Sequence, residues 1–386
     1  MTLSSFVIRS GKTILYFGMN SLDKVSNVLS RYRRIYIVTS RSAAKVSGAL
    51  DDVMEILNRY GVKYEVFSGV TPNPLENIIE DASECAWRFG AEAIIAIGGG
   101  SVIDTAKIVS VISRCGGRVK DYVFGTRDFC GSLPLIAINL THGTGSEVNR
   151  YAVATLLEPR TKYGLANEYM YPLIGIDDPR YTLSLPYNQT LYTSIDAMYH
   201  ALEASCGRDS SPYVLAIAEE AIKNIVTWLP IALREPKNIE ARYWLLYASM
   251  LAGISIDHSR AHLIHAIENV LSGINTELPH GAGLAMLGPT AIKYLYRSRP
   301  KELHRLLRHI DPELKPSEDD AIKASRAIEE FQKGLGFNER LSNYGFRDED
   351  IDRVIETTNK YLRYGLSLAP IEIKDDIIRE IVSSAL

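Results

Sequence analysis

Asp196 and His200 stand four residues apart in TSIDAMYHALEA, a run of helix-forming residues, and a four-residue step stacks two side chains on one helix face. One face therefore offers a carboxylate and an imidazole together. His265 opens HAIENVLSG, which reads as a second helix, and His280 follows in LPHGAG, where Pro279 and Gly281 predict a loop. One carboxylate and three imidazoles saturate a tetrahedral ion, or leave positions open on iron. Any single pair of these residues reads more readily as ordinary surface or core. The full set points to a divalent metal only beside a second feature.

That feature is AIIAIGGGSVIDTAK, Ala93 to Lys107, where an apolar strand ends in three glycines and leads into a helix beginning near Ser101. Gly98, Gly99 and Gly100 let the backbone approach an anionic group, and the free helix amides with the positive end of the dipole face it. The spacing is not G-x-G-x-x-G. On its own the segment fits a pyrophosphate site and a plain tight turn alike.

Together, GGGSVIDTAK, THGTGSE (Thr141 to Glu147) and the Asp/His/His/His set resemble the iron-containing, group III alcohol dehydrogenase family. The resemblance extends to FGMNSL from Phe17, VTPNP from Val70, IDDPRYTLSLP from Ile176 and the LPHGAG loop, and so spans nearly the whole chain. It implies an N-terminal Rossmann-like α/β nucleotide-binding domain, a C-terminal helical bundle and an active site in the cleft between them. It also implies a metal ion on Asp196, His200, His265 and His280, Fe(II) by family precedent with Zn(II) a realistic substitute. The activity implied is hydride transfer between a nicotinamide cofactor and a primary alcohol or aldehyde, with the substrate oxygen on the metal. Homodimers are frequent among such proteins.

The resemblance also carries cofactor contacts over by position. Asn73 is expected near the adenosine, the backbone from Gly99 through Gly100 to Ser101 on the pyrophosphate, and Asp104 in the helical turn beneath it. Leu140, Thr141 and Thr144 are expected near the cofactor, with Lys162 and Tyr181 toward its nicotinamide half. Cofactor choice turns on the end of the strand RIYIVTS, where an acidic side chain accepts from both ribose hydroxyls and a basic one holds a 2′-phosphate. NAD-preferring relatives commonly carry aspartate at the position of Ser40; its absence, with Arg41 and Lys45 close behind, predicts NADP(H) over NAD(H).

Two departures from the family pattern stand out. Relatives tend to carry Pro-Thr-Thr-Ala before GTGSE, whereas this chain has Asn139, Leu140, Thr141 and His142, so Leu140 loses a hydroxyl contact and His142 is either a cleft residue or a replacement for alanine. Four residues after His265, where many relatives place a further histidine, this chain has Asn269. A carboxamide is no general acid or base at ordinary pH. His262 is the candidate to take over a proton relay. Tyr151, Tyr199 and Leu263 suggest either an apolar substrate pocket or core.

These residues need elements to position them. Short apolar strands (RIYIVTS, KYEVFSG, AIIAIGG, LPLIAIN) alternate with helical stretches near 42–60, 75–90 and 101–113, predicting a parallel sheet covered on both faces. From about Leu185 onward helical patterns follow at roughly 189–205, 212–227, 238–256, 259–271, 283–295, 317–335, 348–362 and 374–384. The fold class is therefore α/β plus all-α, with domains at 1–186 and 187–386.

Composition narrows the partners. A net charge of -3 with interspersed signs gives no reason to expect nucleic acid. No apolar run predicts a signal peptide or a membrane span. Cys85, Cys115, Cys130 and Cys206 show no C-x-x-C spacing, and read as reduced thiols of a soluble cytoplasmic protein. Other readings of the same motifs are a polyol (glycerol-type) dehydrogenase, whose metal has fewer histidines, and a dehydroquinate-synthase-like lyase, which needs more Lys and Arg near the metal. A non-catalytic nucleotide-binding protein would not need four ligand positions.

Overall fold

The computed structural model describes residues 6–386. They form two compact units, one comprising the residues up to Pro186 with Glu235–Leu246, the other Tyr187–Arg234 with Tyr247–Leu386. The stretch 235–246, read from sequence as part of the helical domain, thus packs with the first unit. Its anchors are buried: Tyr243 meets Phe17 edge-on at 5.0 Å between ring centroids, and Arg242 hydrogen-bonds His142.

The first unit is built on a seven-stranded sheet in the order β1-β2-β9-β6-β5-β3-β4. The strands are β1 (Phe6–Ser10), β2 (Thr13–Phe17), β3 (Arg34–Ser40), β4 (Lys63–Val70), β5 (Ala93–Gly98), β6 (Leu135–Asn139) and β9 (Ile174–Asp177), with β7 (Tyr151–Leu157) and β8 (Arg160–Ala166) pairing as a separate hairpin. Six strands run parallel, and β1 closes the edge antiparallel to β2. Every residue of β5 is buried, which is why AIIAIG reads as one apolar run rather than an alternation. Burying each such isoleucine contributes roughly 1.5–3 kcal/mol.

Register brings the motifs together. Gly98 pairs with Asn139 and Asn139 with Asp177, so β5, β6 and β9 end in line, while Thr39 pairs with Ile97 and leaves Ser40 beside the glycine turn. Between β3 and β5 the chain order reverses, the position at which open α/β sheets bind ligands beyond the carboxyl ends of their strands.

In the second unit the helix Tyr187–Cys206 is buried almost continuously from Thr190 to Cys206. A helix with no polar face belongs in the centre of a bundle. His280 begins the helix His280–Ser298, with Pro279 as its extended N-cap, so the loop expected at LPHGAG is instead a helix start. Gly281 is required there by close approach, since a Cβ would fall 2.0 Å from the Tyr192 carbonyl oxygen.

Cys115 and Cys130 form a disulfide with Cα atoms 5.8 Å apart, correcting the reading of both as reduced thiols; Cys85 and Cys206 are free. Gly116 and Gly117, both at positive φ, lead the chain out of the helix just beyond Cys115, a path that cysteine spacing alone does not reveal. Among the described residues no helix is long and apolar enough to cross a membrane.

Candidate metal centre and nucleotide turn

Asp196, His265 and His280 each bring one ligand atom into a group whose members all lie within 4.8 Å of one another. The Asp196 Oδ1 atom is 3.5 Å from His265 Nε2 and 3.8 Å from His280 Nε2. Asp196 Oδ1 and His265 Nε2 are buried without a hydrogen-bond partner, a costly arrangement unless something else satisfies them. Ligand atoms on an ion with bonds of about 2.1 Å sit roughly 3.4 Å apart, so these orphaned atoms fit a divalent metal. His200 stands beside the group rather than in it. Its ring stacks on His265 at 4.4 Å and its Nδ1 lies 3.4 Å from Asp196 Oδ1.

Two further carboxylates, neither singled out by sequence reading, aim the imidazoles. Glu203 Oε2 meets His265 Nδ1 and Glu268 Oε2 meets His280 Nδ1. A carboxylate that accepts from Nδ1–H aims Nε2 at Asp196, where its lone pair serves an ion that displaces the Nε2 proton. Glu203 also accepts from the backbone of Ile264 at 2.7 Å and of His265 at 3.3 Å, so one side chain caps the helix Leu263–Ile274 and orients its ligand. Glu203 follows His200 by three residues and Glu268 follows His265 by three, helical neighbour spacings that place each acid beside a candidate ligand but not against the imidazole it meets.

The charges balance around Asp196. Burial works to raise its carboxyl, but the surrounding His200, His265 and His280 hold it well below the ordinary range. Burial lowers His200 to about 4. Burial opposes a charged His265 as well, yet Asp196 and Glu203 on either side of it prevail and raise it to about 9. His280 has the most exposed side chain of the group, at 23%, so the centre opens on its side.

In the first unit, Gly99 caps the helix Gly100–Cys115. The amides of Gly100 and Ser101 begin that helix, where no intrahelical acceptor exists. Side chains demand the glycines as much as a ligand would: a Cβ on Gly99 would lie 2.6 Å from the Thr141 methyl, and one on Gly100 2.3 Å from that of Thr144. THGTGSE therefore lies directly on GGG. Asp104 locks the two, accepting from Ser146 Oγ at 2.6 Å and from the Val153 amide at 3.0 Å. Buried Lys107 donates to Ser146 and Asn149. Burial raises the Asp104 carboxyl, and Lys107 opposes that rise.

Comparison with known proteins decides the family. Residues 12–179 match the model of the iron-containing alcohol dehydrogenases, and residues 190–386 that of the Fe-containing alcohol dehydrogenase family, C-terminal. A long-chain primary alcohol dehydrogenase, AdhA, from Thermoanaerobacter ethanolicus is 38% identical over 96% of this chain and 95% of its own. The chain belongs to the iron-containing alcohol dehydrogenase family. Its members are oxidoreductases that use a divalent metal and a nicotinamide cofactor. Sulfoacetaldehyde reductase from Bilophila wadsworthia is 31% identical over 90% of both chains. The solved structure of NADH-dependent butanol dehydrogenase A from Thermotoga maritima superposes with a TM-score of 0.89 at 28% identity, covering 99% of each chain. An archaeal alcohol dehydrogenase from a Red Sea brine pool reaches 0.92 at 24% identity over the whole of both chains, a likeness of fold.

Several positions carried over from the family have partners within the protein. Asn73 and Lys162 were expected at opposite halves of the cofactor, yet Lys162 Nζ donates to Asn73 Oδ1 at 3.0 Å. The hairpin explains it: Lys162 pairs with Thr155, and Thr155 bonds back to Asn73 and Pro74. Tyr181 was expected toward the nicotinamide half. It is buried in the apolar cluster that holds Ala44 and Val53, and its hydroxyl donates to Asp52 at 2.7 Å, on the Ser40 side of the sheet. Leu140 joins the same cluster. Thr141, by contrast, is only half-buried, and Thr144 likewise.

His262, the residue expected to relay a proton, acts as a helix cap. It is 1% exposed and caps the helix Leu263–Ile274, its Nδ1 accepting from the Leu263 amide at 2.8 Å and its Nε2 facing the Glu203 carbonyl oxygen at 3.0 Å. Tyr199 and Leu263 are core, both fully buried. Asn269 is half-buried with Oδ1 lacking a partner, one helical turn beyond His265.

Proposed function

We propose that this protein is a metal-dependent aldehyde reductase and primary alcohol dehydrogenase that prefers NADP(H). The observation that carries the reading is the convergence of Asp196, His265 and His280 with a carboxylate behind each imidazole. Asp196, His265 and His280 hold the ion, Fe(II) by family and Zn(II) as substitute, with His200 alongside as the fourth ligand position. A divalent ion held there supplies Lewis acidity, lowering the pKa of an alcohol hydroxyl and favouring negative charge on an aldehyde oxygen. A nicotinamide dinucleotide held on the glycine turn would supply hydride-transfer chemistry in either direction.

The chain's own groups orient and bind. Glu203 and Glu268 keep both ligand imidazoles in the tautomer with a free Nε2. Asn269 offers an amide for a hydrogen bond to a substrate oxygen, and the proton that aldehyde reduction requires is delivered by water. The first amides of the helix Gly100–Cys115 receive the pyrophosphate, with Thr141 and Thr144 beside them.

Preference for NADP(H) rests on Ser40 at the end of β3 and on Arg41 and Lys45, both exposed and without a side-chain partner among the described residues. The relative from Thermoanaerobacter ethanolicus, a long-chain primary alcohol dehydrogenase, supports the substrate class. The working form is a cytoplasmic homodimer. The deciding assay is NADPH oxidation by anaerobically iron-loaded protein across aliphatic and aromatic aldehydes, with chelated protein and NADH in parallel. Turnover that survives chelation, or a higher kcat/KM with NADH, sinks the corresponding part of the reading.

A further inference from the structure

His142 replaces the alanine common before GTGSE, and the structure gives it a partner. It is fully buried, and its Nε2 lies 3.0 Å from Arg242 Nη1. Arginine only donates, so this imidazole nitrogen accepts. Arg242 is itself fully buried at the start of the helix Ile239–Ser259, with Nε donating to the Pro236 carbonyl at 3.2 Å. That helix start is fixed by Asn238, whose Oδ1 accepts from the Ala241 amide at 3.0 Å. Burial, and then the Arg242 charge, push His142 well below its ordinary 6.5, so the ring stays neutral and keeps its lone pair.

What this bond holds is a cofactor loop. His142 lies between Thr141 and Thr144, whose methyl groups occupy the space beside Gly99 and Gly100. The Thr141 amide donates to Asn139 Oδ1 at 3.0 Å, and Thr144 Oγ1 accepts from the Ser146 amide at 3.2 Å. Both threonines are thus tied at their outer ends, and the residue between them is tied to a buried cation.

We propose that His142 is a positioning residue for the dinucleotide: its hydrogen bond to Arg242 sets Thr141–Gly145 against Gly99 and Gly100, and cofactor affinity depends on that placement. The inference rests on the reading of the glycine turn as the pyrophosphate site.

The test uses full-length, metal-loaded protein as wild type, His142→Ala, His142→Gln and the double variant His142→Ala/Arg242→Met. NADPH and NADH binding are followed by fluorescence, kcat at saturating cofactor, and amide hydrogen exchange without cofactor. In His142→Ala the Kd for dinucleotide rises about tenfold while kcat stays within about threefold, and exchange across Leu140–Gly145 accelerates. His142→Gln, whose Oε1 also accepts, stays close to wild type. The double variant also removes the buried charge that His142→Ala leaves with one partner fewer, and so separates a loss of fold from a loss of positioning; its Kd stays raised. A wild-type Kd in either alanine-bearing variant overturns the proposal, because His142 then serves only to satisfy Arg242, and equal losses in His142→Gln and His142→Ala overturn it too. Wild-type protein that binds neither dinucleotide fails the cofactor reading instead, and the exchange comparison still decides whether the pair sets the loop.

Discussion

Glu268 Oε2 lies against His280 Nδ1, placing a fully buried carboxylate directly behind the most exposed imidazole of the metal centre. The contact is possible because Gly283 lets the two helices approach: a Cβ there would fall 2.8 Å from Glu268 Cγ. Local sequence brings His280 to a helix start, and Glu268 decides which nitrogen faces Asp196.

Glu268→Gln keeps the shape and removes the charge. Loss of such a partner behind a ligand histidine costs about 10–100-fold in metal affinity. Competition with a chelator, read by metal analysis of the protein, checks this; unchanged affinity would show that His280 needs no orientation.

His200 gives the second prediction, because it stacks on His265 without joining the group of three converging ligand atoms. If it is the fourth ligand, His200→Ala lowers metal affinity and kcat together. If metal affinity holds, the centre is a three-ligand site of the polyol-dehydrogenase kind, and assays should turn to vicinal diols.

Cofactor choice is tested at the end of β3. Ser40→Asp places a negative charge where a 2′-phosphate would lie and shifts the ratio of kcat/KM toward NADH by about tenfold. Arg41→Ala with Lys45→Ala moves it the same way. A ratio indifferent to all three changes would mean that these cations are merely solvated.

A pH dependence of stability follows from Glu147, fully buried with neither carboxyl oxygen hydrogen-bonded. Burial raises it from 4.5 to about 7, and Asp177 is raised well above its ordinary value by burial and by Glu147. Between those limits the folded state holds a proton that the unfolded state has released, so stability falls as pH rises from 4.5 to about 7. Denaturant midpoints measured across this range should decline in wild type and flatten in Glu147→Gln. Parallel curves would place the slope elsewhere.

The chain order alone carried much of this protein. Asp196 and His200 are on one helix face because four residues is nearly one turn, and AIIAIGGGS is strand, turn and helix start because apolar runs, glycines and caps act over neighbouring residues. Those are local rules, and they held at β3, β5 and the helices Tyr187–Cys206 and Leu263–Ile274. Which residues meet across the fold was decided by packing between segments far apart in sequence. Tyr181, placed toward the cofactor by the family resemblance, sits in the core on Asp52, and His262 became a cap with Glu203 opposite it. Cys115 met Cys130 by the path of the loop between them, which leaves the helix through two glycines at positive φ. Glu203 and Glu268 were ordinary helical acids until the bundle buried them behind two imidazoles, where low dielectric and a single acceptor give them a job that spacing could not announce.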